Sequence, residues 1–598
     1  MRNVRILTIF LAAMSACPLA ATAKEAEETS ATKSTKPKLI KLAAINIGGE
    51  FPETETQVGL FGELEQSLAK TIARIDQASE DDDISGIILA LRTPSVGRGK
   101  INELRAAIAR ARKAGTKVYA DLQMAMPSDY LIASACDEIV MPPGGAIVLP
   151  GVRAEVMFYK DLLEKIGVQA DFLQVGDFKG AAEPYVRSEM SPELRQQFES
   201  LINDLYEQLV ESVASDRKLE PEKVRALVDQ GLFTAQAAKE AGLIDRIAYE
   251  DELKEQIKKE QKGEKLSVVR KYGEKKMDAD FSGFTGMMKL INLMMGIEPS
   301  SGRTYGDKIA VVYALGPIMS GESEQGLLGG SSMGADTIVK ALRTADEDKK
   351  VRAIVLRVDS PGGSALASDQ IWRQVVQIKK PVIASMGDTA ASGGYYISMG
   401  AQQIFAEPAT LTGSIGVVGG KMALGGTLNK LGINTQVVSR GQNSGIFSAD
   451  QPFSPAERKA IMLLMKDTYL QFTTKAAQGR KMDLDKLEEL AQGKVYTGRQ
   501  AQKLGLVDTI GTLRDAIIAA KVAAGLDKDK KVNLMILPKP KSVFEQFFGG
   551  PEIESKVVTS QLRKAAPQLV APLADIEQLQ HLFAEPVNLV LPYRVHIR

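Results

Sequence analysis

The chain contains very little histidine and cysteine, and both shortages exclude common kinds of site. The only two histidines among the 598 residues are His581 and His596, both within the last eighteen positions. A Ser–His–Asp triad would have to take its base from this tail, so a hydrolase with this sequence needs another base. The two cysteines, Cys17 and Cys136, are too few for a cysteine-based zinc site, and removal of a leader would leave only Cys136.

Neither sign of charge is in excess. The 75 basic and 74 acidic side chains give a net charge of +1, so no basic surface for nucleic acid is indicated. A hydrophobic content of 44% and a charged content of 25% are typical of a folded soluble protein. A chain of this length exceeds one ordinary hydrophobic core, so we expect two or more domains.

The N-terminus has the pattern of an export signal. Arg2 and Arg5 precede an apolar run over residues 6–16, and Ala21-Thr22-Ala23 offers a small-residue cleavage site. We therefore predict a signal peptide over residues 1–23, because the apolar run is short for a membrane span. Residues 24–37, rich in Lys, Glu, Thr and Ser, are then expected to form a solvated tether.

Two alternatives for this N-terminus stay open. Cys17 lies in a loose lipoprotein motif and would then be lipidated, or the segment is kept as an uncleaved membrane anchor. All three interpretations place the body of the protein outside the cytoplasm, in the cell envelope.

The sequence repeats itself with an offset of about 265 residues. The same order of strands, acidic loops and helices recurs, which indicates an internal duplication into an N-terminal α/β repeat over 38–261 and a C-terminal α/β repeat over 308–524. Apolar strands that alternate with amphipathic helices predict mostly parallel sheets in both. The matched segments are 42–47 with 309–314, 86–92 with 353–359, 163–168 with 428–433, and 238–245 with 501–508.

Two further segments lie outside the repeat. Residues 262–307 are predicted to link the two halves, and within them residues 281–297 are apolar except for Lys289. This stretch forms either a helix packed on the domains or a helix on a membrane surface. Residues 525–598 form a C-terminal extension that we expect to wrap the body or to mediate assembly.

Two glycine-rich elements of the second repeat carry candidate chemistry. Residues 359–363 (DSPGG) follow a buried strand, where glycines allow backbone amides to face a ligand as an oxyanion hole requires. Residues 387–396 (GDTAASGGYY) also follow a strand and open into a helix, so Ser392 would lie on a turn at a helix N-terminus. A lone Ser beside two glycines is usually a simple turn, but the pair of elements favours a nucleophile.

The repeat indicates where the base lies. The position that matches Ser392 in the first half is Pro127, and the position that matches Lys179 in the second half is Ser444. Each half therefore lacks one member of a pair that the other half supplies. Lys179 lies between Phe178 and Gly180, and a desolvated lysine has a lowered pKa and can act as a neutral base.

These residues resemble the long, duplicated form of the signal peptide peptidase A family, also called protease IV, over roughly residues 40–525. The resemblance implies that Ser392 of AASGGYY is the nucleophile and that Ser414 of TGSIGV orients the base. Lys179 of FKGAAEP falls on the family's general base, with Phe and Gly where the family has Tyr and Ser. The fold implied is α/β, with two tandem Clp protease/crotonase-like domains, each a spiral of ββα units.

The resemblance also implies a function. Such a serine endopeptidase would degrade cleaved signal peptides at the periplasmic face of the membrane, as a homotetramer, and would need no metal or cofactor. In the implied acyl transfer, the backbone N–H groups of Gly393 and Gly363 bind the oxyanion. Two rival functions remain: a crotonase-type acyl-CoA enzyme, and an envelope scaffold whose catalytic sites have decayed.

Overall fold

The computed structural model describes residues 39–54, 67–274, 306–323, 332–539 and 587–591. The predicted signal peptide, the tether and the apolar segment 281–297 lie outside these ranges. Within the described ranges, none of the helices combines the length and the apolar character that a membrane span requires.

The first repeat alternates strands and helices as its sequence pattern predicts. A single 3₁₀ turn, Gly180–Ala182, precedes α5. In chain order the elements are β1 (Leu39–Glu50), α1 (Leu68–Glu80), β2 (Gly86–Ser95), α2 (Arg98–Lys113), β3 (Val118–Asp121), β4 (Met124–Ala125), α3 (Pro127–Ser134), β5 (Glu138–Met141), β6 (Ala146–Val148), α4 (Lys160–Ile166), β7 (Gln169–Val175), α5 (Glu183–Val186), α6 (Pro192–Arg217), α7 (Pro221–Gln230), β8 (Leu232–Thr234), α8 (Ala235–Ala241), β9 (Arg246–Ile247), α9 (Glu250–Glu260) and β10 (Lys265–Val269).

The second repeat follows the same plan. Its elements are β11 (Lys308–Leu315), β12 (Ile318–Met319), β13 (Met333–Gly334), α10 (Ala335–Glu347), β14 (Val351–Ser360), β15 (Gly362–Ser364), α11 (Ala365–Gln377), β16 (Val382–Ala391), α12 (Gly393–Ser398), β17 (Gln403–Ala406), β18 (Leu411–Gly413), β19 (Val417–Ala423), α13 (Gly425–Lys430), α14 (Pro455–Arg480), α15 (Leu484–Leu490), β20 (Val495–Thr497), α16 (Gly498–Lys503), β21 (Thr509–Ile510), α17 (Leu513–Ala523), β22 (Asn533–Leu537) and β23 (Asn588–Val590).

Each repeat is built on a parallel sheet, and the two sheets have matching strand orders. The first sheet runs β10-β1-β2-β3-β5-β9, and the second runs β22-β11-β14-β16-β17-β21. Their central strands are apolar and buried, as expected where helices cover both faces of a parallel sheet. The predicted pair of duplicated α/β domains is confirmed.

Two tyrosines show how closely the repeats correspond. The hydroxyl of Tyr130 donates to the carbonyl of Leu243 in the first repeat, and the hydroxyl of Tyr395 donates to that of Leu506 in the second. Both tyrosines are fully buried, so each hydroxyl needs such a partner. Counting back three residues from each tyrosine pairs Pro127 with Ser392, the match predicted from the sequence.

Both repeats extend past the limits predicted for them. Strand β10 pairs with β1 inside the predicted linker 262–307, and β22 pairs with β11 inside the predicted extension 525–598. Each completes the open edge of its sheet beside the first strand, where an unpaired edge would leave backbone groups unsatisfied. The limits of 261 and 524 are therefore too short.

A third sheet joins the two repeats. Its order is β13-β12-β15-β23-β19-β7, so the first repeat contributes β7 and the second contributes the other strands. Strands β7 and β19 are antiparallel and pair along their full lengths, from Val175 with Val417 to Gln169 with Ala423. Because β7 leads directly to Lys179, this pairing carries the end of one repeat into the other.

Buried charges also hold the repeats together. Arg357 of β14 is fully buried, and its guanidinium lies 2.9 Å from a Glu53 carboxylate oxygen and 3.1 Å from one of Glu103. Nearby, Lys100 of α2 pairs with Asp359 at 3.1 Å and with Asp388 at 3.3 Å. All four ion pairs cross between the repeats, so separating the halves would leave desolvated charges without partners.

Candidate active site

Lys179 comes from the first repeat but is enclosed by the second. It follows β7, where the chain turns into the 3₁₀ segment, and its side chain is fully buried. The N–H of the preceding Phe178 donates to the carbonyl of Gln492 at 2.8 Å. A Cβ on Gly493, which has a φ of 81°, would lie 2.5 Å from the backbone nitrogen of Lys179, so only glycine fits beside this lysine.

Ser392 lies between β16 and α12, as the strand–turn–helix pattern predicts. Its φ of 55° and ψ of −111° are unusual for a residue with a side chain. The Ser392 N–H donates to the carbonyl of Gly413 at 2.8 Å, which fixes this conformation. Strained backbone of this kind persists where its surroundings determine it, and such positions cluster at active sites.

The structure brings the three predicted polar side chains together. Lys179 Nζ lies 2.7 Å from Ser392 Oγ, 2.8 Å from Ser414 Oγ and 2.8 Å from the Ser414 carbonyl oxygen. A neutral amine has two N–H groups and one lone pair. Both N–H groups can therefore donate to Ser414, which leaves the lone pair to accept the Ser392 hydroxyl proton.

Burial lowers the pKa of Lys179 well below its ordinary value of 10.5. Desolvation is the cause, and among the residues that the structure describes no carboxylate lies against the amine to stabilise its charged form. The three partners of Nζ are two hydroxyls and one carbonyl, all uncharged. The environment therefore favours the neutral, proton-accepting form of this lysine.

Ser414 also has a positive φ, 53°, and is fully buried. It follows β18, and its N–H donates to the carbonyl of Lys494 at 2.7 Å. The chain segment 492–494 thus contacts both Phe178, beside the lysine, and Ser414. Sequence reasoning did not find this segment, because its contacts are made by backbone groups that leave no motif.

The two glycine elements predicted to bind an oxyanion lie against each other. A Cβ on Gly393 would lie 3.1 Å from the Gly363 backbone nitrogen, so the backbones of the two glycines pack against each other next to Ser392. A Cβ on Gly363 would lie 2.0 Å from the carbonyl oxygen of Ile318. That clash requires glycine at this position whatever its function.

The matching positions of the opposite repeats do not form a second such site. Pro127 begins α3 in place of a serine, and Ser444 is exposed. In the first repeat the fully buried Asp129 accepts hydrogen bonds from the N–H groups of Thr93 and Met126. These two backbone donors thus hold a carboxylate close to Pro127, in the repeat that lacks the serine.

Models of known protein families match both repeats. The model of the family described as Peptidase family S49 matches residues 110–264 and 374–527, one match in each repeat. The Clp protease model matches residues 330–411, a segment that contains Ser392, Gly363 and Gly393. The two matches to the S49 model together cover more than half of the chain.

Individual proteins are also similar to this chain in sequence. The chloroplastic serine protease SPPA of Arabidopsis thaliana is 34% identical over 490 residues, which cover 81% of this chain and 70% of that protein. Protease 4 of Salmonella typhi is 32% identical, covering 77% of this chain and 73% of that protein. A putative signal peptide peptidase SppA of Enterococcus faecium is 33% identical, covering 44% of this chain and 75% of that protein.

Proposed function

The chain belongs to peptidase family S49, and on that premise we propose that it is a serine endopeptidase with a Ser–Lys dyad formed across its two repeats. Ser392 is the nucleophile and Lys179 is the general base. The observation that carries this proposal is the 2.7 Å separation of Lys179 Nζ and Ser392 Oγ in a buried site where the described residues include no histidine.

The first step is attack on the peptide carbonyl. The Ser392 hydroxyl gives its proton to the lone pair of neutral Lys179 as Oγ bonds to the carbonyl carbon. Ser414 accepts both remaining N–H groups of the amine and so aims the lone pair at Oγ. Ser414 is therefore proposed as a positioning residue, the role that the family resemblance implies.

The oxyanion formed in this step needs hydrogen-bond donors. The N–H groups of Gly393 and Gly363 lie beside Ser392 and supply them. Lys179, now protonated, gives its proton to the leaving amine, and the C–N bond breaks. Lys179 then takes a proton from water as the water oxygen bonds to the acyl carbon, and it returns that proton to Ser392 Oγ as the ester bond breaks, which regenerates the enzyme.

For substrates, we propose signal peptide remnants and similar unstructured apolar peptides. One relative carries the name putative signal peptide peptidase, and the predicted leader over residues 1–23 would place this chain in the cell envelope, on the periplasmic side. The apolar segment 281–297 supports association with the membrane surface.

A homo-oligomer is proposed from an incomplete pairing in the repeat. Residues 434–440 match β7 but form no strand. All of them are exposed, and among them Val437 and Val438 have 69% and 94% of their surface accessible. Residues 152–158 match β19 and likewise form no strand. If the two segments pair between copies as β7 pairs with β19 inside one chain, the contact is head-to-tail, and a contact of this kind forms a ring where the rotation between copies closes. We expect the ring to be a homotetramer.

The proposed function is tested by cleavage of an unstructured apolar peptide. Ser392→Ala should abolish cleavage with little loss of packing, because it removes one buried hydroxyl. Ser444→Ala is the matched control, since it makes the same change at the position that corresponds to Lys179 in the other repeat, and it should leave the rate unchanged. Peptidase activity near the wild-type level in Ser392→Ala would refute the assignment.

A further inference from the structure

Strand β23, from the C-terminal part of the chain, lies directly beside the candidate site. It is inserted between β15 and β19, antiparallel to both, with Leu589 opposite Gly363 and Asn588 opposite Val418. Strand β15 carries Gly363, and β19 pairs with the strand that leads to Lys179. The slot between β15 and β19 therefore already contains an extended piece of peptide.

The register places one carbonyl of this strand at the predicted oxyanion donors. The Leu591 N–H donates to the Pro361 carbonyl at 2.7 Å. Hydrogen-bonded pairs recur at every second residue of an antiparallel ladder, so the Gly363 N–H faces the carbonyl of Leu589. A Cβ on Gly362 would lie 2.0 Å from the Leu589 oxygen and 2.7 Å from the Gly393 nitrogen. The Leu589 carbonyl thus lies near both N–H groups.

Leucine side chains of residues 587–591 are buried against the protein, as those of a bound peptide would be. Leu589 is fully buried in the main apolar cluster of the second repeat. Leu591 belongs to a small cluster with Leu201 of the first repeat and Ala391, the residue before Ser392. Since side chains two positions apart share a face of a strand, both leucines point into the body of the protein.

The two parallel sheets do not require this strand. The two parallel sheets match strand for strand without it, and among the described residues the first repeat has no equivalent of the β15-β23-β19 arrangement. The strand is therefore found at the copy that has Ser392 and not at the copy that has Pro127. Strand β23 is therefore associated with the candidate site and not with the sheets that the two repeats share.

We propose that residues 587–591 occupy the substrate cleft as an intramolecular pseudosubstrate, with the Leu589 carbonyl in the place of the carbonyl that Ser392 attacks. The pseudosubstrate proposal rests on the proposed function and adds how the same site is regulated and which substrate side chain it prefers. The cleft takes an extended peptide with an apolar side chain at the attacked residue. A peptide binds only when the strand has left, so the strand raises KM and leaves kcat unchanged; a cleft that is open one-tenth of the time raises KM about tenfold.

The test compares peptide kinetics in three variants of the full chain. One ends at residue 586, one carries Leu589→Asp, and the control carries Leu534→Asp on the exposed face of β22, outside the cleft. The first two should lower KM for a leucine-containing apolar peptide several-fold with kcat within twofold of wild type, and the control should change neither. If the wild type cleaves the peptide and KM is the same in all variants, the strand is merely structural. Leu589→Asp keeps the test valid where the shortened chain does not fold.

A binding measurement separates this proposal from the proposed function. A labelled peptide with the sequence of residues 585–593 should bind the shortened chain in a Ser392→Ala background, as read by fluorescence anisotropy, and bind the full chain much more weakly. The same peptide with aspartate in place of its central leucine should bind neither. Equal binding to both chains, or to neither, would overturn the pseudosubstrate even if the enzyme is a peptidase, whereas absence of peptide cleavage in every variant would count against the proposed function alone.

Discussion

Lys179 Nζ and Ser392 Oγ lie 2.7 Å apart although the two residues are separated by 213 positions and belong to different repeats. Two structural features produce this proximity. Strand β7 leaves the first repeat to pair with β19 of the second, and the backbone of segment 492–494 contacts the chain on either side of the site. Each repeat thus retains one member of the proposed dyad.

The first prediction concerns the pH dependence of stability. Burial lowers the pKa of Lys179 in the folded chain, whereas the unfolded lysine titrates near pH 10.4, so between these two pKa values the unfolded chain binds the extra proton. The stability of the wild type should therefore rise with pH in this window relative to Lys179→Met, which has no proton to bind. Melting temperatures of both chains from pH 6 to pH 10 measure this; parallel curves would show that Lys179 is charged when folded.

A second prediction tests Ser414 as a positioning residue. Ser414→Ala removes one acceptor of the Lys179 N–H groups but keeps the carbonyl contact. We expect kcat to fall about tenfold or more, with KM little changed. A hydroxyl acceptor stabilises the charged amine more than the neutral one, so the apparent pKa of the rate profile should fall further. An unaltered kcat and pH profile in Ser414→Ala would reduce this residue to a structural role.

The buried charges between the repeats give a third prediction. Arg357→Met should destabilise the chain by about 3–5 kcal/mol, because it leaves Glu53 and Glu103 buried without their cation. The control is Arg352→Met on the same strand, at an exposed position, which should cost far less. Urea unfolding compares the two, and equal midpoints would show that the cluster does not join the repeats.

The fourth prediction concerns Glu407, in the same cluster of buried charges, and the dependence of folding stability on pH. Burial raises its pKa well above the ordinary 4.5, with a further contribution from the charge of Glu103. A raised carboxyl pKa favours the folded state at low pH, and that contribution is lost as pH rises from about 4.5 through the folded pKa. Glu407→Gln should therefore gain stability relative to the wild type as pH increases over this range. A constant difference in melting temperature would contradict the raised pKa.

A fifth prediction addresses assembly. Val438→Asp places a charge in the exposed segment proposed to pair with residues 152–158 of a second copy and should shift the chain toward monomers. Val522→Asp is the matched control, since Val522 is 58% exposed on α17, away from that segment. Sedimentation velocity distinguishes the two, and an unchanged oligomer in Val438→Asp would remove this segment from the interface.

Much of this organisation could be predicted from the sequence. The repeat predicts two matching parallel sheets, and the complementary positions Ser392 with Pro127 and Lys179 with Ser444 direct attention to residues that the fold brings together. The contacts of segment 492–494 could not be predicted, since they use backbone groups. Strand β23 was missed because three residues carry too little periodicity to indicate a strand, which here forms only by pairing with β15 and β19.

The central claim is that Lys179 of one repeat activates Ser392 of the other, and the rate at which a fluorophosphonate probe labels the enzyme tests it most directly. Mass spectrometry should locate the label on Ser392 in the wild type, and the labelling rate should rise with pH through the lowered pKa of Lys179 and reach a plateau below pH 10.5. In Lys179→Met the rate should fall by about 10³-fold or more and lose this rise, since members of one catalytic unit fail together. Labelling of Lys179→Met at the wild-type rate, or of a serine other than Ser392, would contradict the cross-repeat dyad.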